Sequence, residues 1–119
     1  MNLIRNNKLL YTFDDEVVSK FVYAIDEKKI ELSFDGFYDL EKDEGIDRKC
    51  ILIIESWSKA LSRLCPNSKF DNLESNFGII SMIVAVNVEH DEVYMTVSTI
   101  DNRHYDLIFL KPSMYISLI

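Results

Sequence analysis

The sequence predicts an α+β protein that is mostly antiparallel β: a six- to seven-stranded sandwich or partly open barrel with one short helix at about 56–64. Three observations predict it. Residues 78–111 alternate apolar and polar side chains with period two, the signature of strands with one face buried. In the N-terminal half, apolar runs flank short polar turns, as in hairpins. Only one stretch combines helical spacing with a cap and a stop.

Taken in chain order, VVSKFVYAI (17–25) and KIELSFDGFY (29–38) flank the polar turn Asp26-Glu27-Lys28-Lys29. In the second run Ile30, Leu32 and Phe34 face one way, and Glu31, Ser33 and Asp35 the other. The first run admits two readings. Asp14 is placed to cap a helix with Val18, Phe21, Val22 and Ile25 on one face. Strand is favoured, because β-branched and aromatic residues cluster and a short turn follows. RKCILII (48–54) reads as a further strand. Ser56 caps the expected helix, Trp57, Ala60, Leu61 and Leu64 recur at helical spacing, and Pro66 stops it. Trp57 is thereby assigned to the core.

Residues 66–77 are polar and read as a loop. GIISMIVAVNV follows, with Ile80, Met82, Val84, Val86 and Val88 on one face. EHDE turns the chain into VYMTVSTI, and IDNRH turns it into HYDLIFLK. These three runs form an antiparallel meander. One short helix cannot cover so much sheet, so the sheet must fold over itself.

At 119 residues the chain has the length of one domain, 1–119, with few glycines and prolines to suggest linkers. No apolar run reaches the roughly 20 residues of a membrane span, and no signal-peptide pattern opens the chain. A cytoplasmic protein is expected. Cys50 and Cys65 lie in or beside apolar runs and are expected to be free thiols in a reducing compartment.

Net charge is −7, from 20 acidic and 13 basic residues. This argues against nucleic-acid binding, which requires clustered Lys and Arg to displace counterions. Acidity concentrates in DGFYDLEKDEGID (35–47), where six acidic residues and Lys42 sum to −5. An EF-hand started at Asp39 places Asp39, Glu41 and Asp43 at the first ligand positions. Its sixth position is Glu44 instead of glycine, and its twelfth is Cys50. His90 and His104 are too far apart in sequence to suggest a metal site. No phosphate loop or nucleophile elbow occurs. Nucleophilic catalysis needs a Cys or Ser, a His and an orienting group; Cys65, His104 and a carboxylate are one formal combination among many in a chain this size. No cofactor and no metal are expected.

Two readings of 35–47 remain, a solvated loop and a contact surface, and the charge of the whole chain favours the second. Aromatic side chains among complementary charges are what protein interfaces use. The candidate partner-binding residues are Asp35, Phe37, Tyr38, Asp39, Glu41, Asp43, Glu44 and Asp47, with Phe37 and Tyr38 at the centre.

The order of segments also resembles a known group. VVSKFVYAIDEKKIELSF, an acidic connection, ILIIESW, and FGIISMIVAVNVEHDEVYMTVSTIDNRHYDLIFL together resemble small cytosolic bacterial toxin-immunity proteins, including those of contact-dependent growth inhibition. The resemblance implies a non-enzymatic monomer or small oligomer that binds a cognate, basic, nuclease-type toxin domain and blocks its active or substrate-binding surface. It implies no contact with nucleic acid or membrane. Two further classes stay open: an accessory or assembly protein of a multi-subunit or phage system that uses a strand edge of the meander, and a small enzyme.

Overall fold

The computed structural model describes residues 1–65, 69–76 and 78–119. The first half contains β1 (Ile4–Arg5), β2 (Lys8–Leu9), β3 (Tyr11–Thr12), β4 (Lys20–Ala24), β5 (Lys29–Phe34), β6 (Phe37–Asp39) and β7 (Glu44–Ile46). The second half contains β8 (Cys50–Glu55), β9 (Lys59–Leu64), β10 (Asp71–Asn72), β11 (Ile80–Glu89), β12 (Glu92–Thr99), β13 (His104–Leu110) and β14 (Ser113–Leu118). The only helical element among the described residues is a single 3-10 turn, Leu73–Asn76.

Two open antiparallel sheets dominate. One has the order β14-β8-β5-β4 and the other β10-β9-β13-β12-β11. Neither closes on itself, and their buried faces share one core, which fits a β-sandwich. The inner faces come from strict alternation. Ile30, Leu32 and Phe34 of β5 and Cys50, Leu52 and Ile54 of β8 are fully buried, as are Val93, Met95 and Val97 of β12 and Leu107 and Phe109 of β13. These side chains belong to one contiguous core. Two smaller ribbons, β1-β2 and β3-β6-β7, complete the molecule.

The meander over 78–111 is present as β11-β12-β13. Its turns have the backbone that tight hairpins need: His90 lies at φ 54° and Asn102 at φ 62°. Residues 17–25 contain β4, so the strand reading holds and the helical alternative does not. Residues 48–54 contain most of β8.

Three expectations need correction. Residues 56–64 are not a helix. Ser56 sits at φ 58°, a left-handed conformation that a helix N-cap does not take, and 59–64 form β9. Strand pairing uses a different set: Ala60, Ser62 and Leu64 oppose the inward Phe109, Leu107 and Tyr105 of β13, while Leu61 opposes the outward Ile108. A nine-residue helix is marginal alone, and six ladder pairs with β13 prevail over it. Trp57 is in the core, 6% exposed, with its ring 5.2 Å from Phe109.

Second, β11 does not keep one phase. Register shifts between Ile80 and Met82 and between Ile83 and Ala85 mark two β-bulges. Ile80, Ile83, Val86 and Val88 consequently face the core, while Met82 opposes the outward Ser98. Third, 66–77 is not simply a loop. Asp71–Asn72 pairs with β9, and Leu73, 2% exposed, anchors the 3-10 turn in the core; Pro66, residues 67–68 and Phe77 lie outside the described residues.

The meander also offers less edge than expected. β13 is flanked by β9, and the start of β11 is bridged by residues 14–18: the Asp15 N–H donates to Ile83 O at 2.8 Å and the Val18 N–H to Ser81 O at 2.8 Å.

Candidate functional site

Residues 35–47 fold into a short hairpin that projects beyond β5. The chain does not continue β5 outward. It bends at Asp35-Gly36, and Phe37–Asp39 joins a separate ribbon between β3 and β7. Gly36 is required at that bend, because a Cβ there would lie 2.9 Å from the Ile46 carbonyl oxygen. Asp43 closes the far turn at φ 53°, a conformation that Asp tolerates better than most residues.

The eight candidate residues divide into two groups. Phe37 is a core residue, 2% exposed, with its ring 5.8 Å from Phe13 and edge-on to Tyr11 at 5.5 Å. It anchors the hairpin and is not offered to a partner. Asp39 is also turned inward, 6% exposed, and its carboxylate accepts the N–H groups of Glu41 at 3.0 Å and Lys42 at 3.1 Å. It holds the turn instead of presenting charge. Both assignments follow from strand parity: Phe37 and Asp39 share the inner face, and Tyr38 between them faces out.

The second group is exposed. Asp35, Glu41, Asp43, Glu44 and Asp47 all carry their carboxylates at the surface. The half-buried Tyr38 donates its hydroxyl hydrogen to Asp43, and that hydrogen bond raises the Tyr38 hydroxyl above its ordinary range. Glu41 pairs with Arg5 at 2.7 Å, but both side chains are more than half exposed and the pair adds little stability.

A residue not foreseen from the sequence joins this face. Glu16, Asp35 and Asp47 line one open cavity of about 380 Å³ beside Gly36, Gly45 and Ile46. Glu16 lies 19 residues before Asp35, so only the fold brings them together; the acidic run Asp14-Asp15-Glu16 was the one trace in the sequence. Among the described residues no group of three or more His, Cys, Asp or Glu is arranged to hold a metal ion.

Replacing Asp39 by Ala should lower stability by about 1–2 kcal/mol, since two backbone donors lose a charged acceptor. Hydrogen exchange at the Glu41 and Lys42 amides should accelerate while core amides change little. Unchanged exchange at those two amides would contradict the capping role.

Both cysteines are free. Burial, followed by the nearby charges of Glu16 and Asp35, pushes the Cys50 thiol from an ordinary value of 9.0 to about 11. A raised folded-state value favours the neutral thiol in the fold. The associated stability is therefore complete below pH 9 and is lost as pH rises toward 11. Urea midpoints measured across that window should fall less in Cys50→Ala than in the wild type; parallel curves would refute the assignment.

Of its formal catalytic partners, Cys65 meets a carboxylate with its thiol but only the backbone of His104. Its N–H donates to the His104 carbonyl oxygen at 2.9 Å, and its thiol lies against Asp106. Burial and the hydrogen bond to Asp106 raise the thiol's pKa, with the Asp106 charge acting in the same direction. An activated cysteine needs the opposite shift. Asp106 itself is held low: burial would raise its carboxyl, but hydrogen bonds from Thr96, Arg63 and Cys65 and the charge of Arg63 outweigh that.

No family model matches the sequence, and neither a curated protein nor a solved structure does.

Proposed function

We propose that this protein is a cytoplasmic immunity protein that binds a basic, nuclease-type toxin domain and blocks its active or substrate-binding surface. One observation supports this reading above the others: five exposed carboxylates ride on a short hairpin whose other face is fixed in the core by Phe37 and in its own turn by Asp39. Ordering loops on binding costs free energy, and a pre-ordered acidic hairpin avoids much of that cost. The excess negative charge of the whole chain, −7, adds long-range attraction toward a basic partner and repels nucleic acid. The thiol-raising surroundings of Cys65 favour a binding role over a catalytic one.

In this reading Asp35, Glu41, Asp43, Glu44 and Asp47 pair with Lys and Arg of the toxin, and Glu16 extends the surface. Tyr38, not Phe37, is the aromatic contact. The test is co-expression with a toxin domain encoded in the adjoining reading frame. Growth should be restored and the two proteins should co-purify. A toxin that still kills, with no complex recovered, would refute the reading.

A further inference from the structure

A cavity away from the acidic hairpin lies against the outward-facing residues of the five-stranded sheet; its volume of about 640 Å³ is within the usual range for small-molecule sites. The two bulges in β11 bend the strand that supplies one wall, with Ala85 and Asn87 among its lining residues. Phe70, Tyr94 and Ile108 supply apolar and aromatic surface to the same cavity.

Arg63 is the one basic residue in the lining. It opposes Asp106 across the β9–β13 ladder, and its Nε donates to Asp106 Oδ2 at 2.9 Å. The other carboxylate oxygen, Oδ1, accepts from the Thr96 hydroxyl at 2.8 Å. The guanidinium lies over the Phe70 ring, 4.5 Å from its centre. It is thus held by one edge and one face. Its terminal Nη1 and Nη2 have no hydrogen-bond partner among the described residues, and the side chain is 37% exposed. Ordered on one edge and, among the described residues, unpartnered on the other, a guanidinium fork is suited to bidentate recognition of a carboxylate. The apolar and aromatic surface beside it calls for a flat apolar body attached to that carboxylate.

We propose that this cavity binds a small free carboxylate with a flat apolar body, its carboxylate on the Nη edge of Arg63 and its body against Phe70, Tyr94 and Ile108. The site shares no residue with the acidic hairpin, so ligand and toxin would bind independently of one another.

The experiment is an NMR titration of the labelled full chain with phenylacetate, using phenylacetamide as the uncharged control. Phenylacetate at millimolar concentration should produce saturable shifts at the Arg63 Nε–H and at the Thr96 and Ile108 amides, and phenylacetamide should bind far more weakly. Arg63→Lys keeps the positive charge beside Asp106 but removes the fork, and should weaken phenylacetate binding about tenfold in a protein whose spectrum is otherwise preserved. Absence of saturable shifts, equal binding of the amide, or full affinity in Arg63→Lys would overturn the proposal.

Discussion

Reversing Asp43, Glu44 and Asp47 to Lys is expected to slow association with the toxin domain by about ten- to a hundredfold at low ionic strength. The three carboxylates are exposed, and the substitutions leave the Phe37 anchor and the Asp39 turn intact. Asp43→Lys also removes the acceptor of the Tyr38 hydroxyl and places lysine at φ 53°, so folding stability should fall by about 1–2 kcal/mol, which leaves the core and the fold in place. The sign follows from charge alone: three reversals change the hairpin by +6 and turn attraction of a basic partner into repulsion. Added salt should compress the difference, because the screening length falls to about 3 Å at 1 M. Dissociation should change less than association, as is usual for charges at an interface rim. Stopped-flow or surface-binding kinetics across a salt series would measure both. An association rate unaffected by the three reversals would remove the hairpin from the interface.

The largest stability loss is expected from Phe109→Ala. Phe109 is completely buried, sits on the inner face of the central strand β13 and packs against Trp57. Removing a buried aromatic ring forfeits transfer free energy and leaves a cavity, together about 3–5 kcal/mol. That is a large share of the roughly 5–15 kcal/mol available to a domain, and at about 4 °C per kcal/mol it lowers Tm by on the order of 15 °C. Trp57 is the sole tryptophan and lies at the site of the cavity, so its fluorescence reports both unfolding and local loosening. Phe109→Leu, which keeps most of the volume, should cost nearer 1 kcal/mol. Equal and small losses in both variants would mean that the two sheets do not meet at this ring.

How much of this was legible in the sequence depended on whether the local pattern and the tertiary partner agreed. β12 and β13 alternate without interruption, and their hairpin turns carry Asp91 and Asn102, so strand, turn and face were readable together. β11 is apolar without a break over Met82–Val86. With apolar residues at both parities, nothing local reveals a bulge, and its phase is set by the strict alternation of β12 opposite. Residues 57–64 are ambiguous for a different reason: 57, 60, 61 and 64 fit a helix, while 60, 62 and 64 fit a strand. Only the ladder with β13 decides between them. Two elements were missed that had usable signals. Asn6-Asn7, both at positive φ, join β1 and β2 in the tight turn such a pair favours. Met114, Ile116 and Leu118 alternate in β14, which closes the edge of the sheet beside β8.

The acidic stretch was legible as charge but not as geometry. Its aromatics suggested an exposed centre, yet parity across Phe37, Tyr38 and Asp39 sends the first and third inward. Reading that parity required knowing that the chain breaks at Gly36 and starts a new ribbon, information that lies in the close approach of Gly36 to Ile46 O and not in the local sequence. Glu16 was invisible for the same reason, since it reaches the cavity through the packing of residues 14–18 against β11.

A hydrogen-exchange footprint of the protein bound to its toxin domain tests the central claim most directly. Exchange at the amides of residues 40–47 should slow on complex formation, with the outer face of the five-stranded sheet unchanged. Protection confined to β12 and β13, with residues 40–47 exchanging as in the free protein, would contradict it.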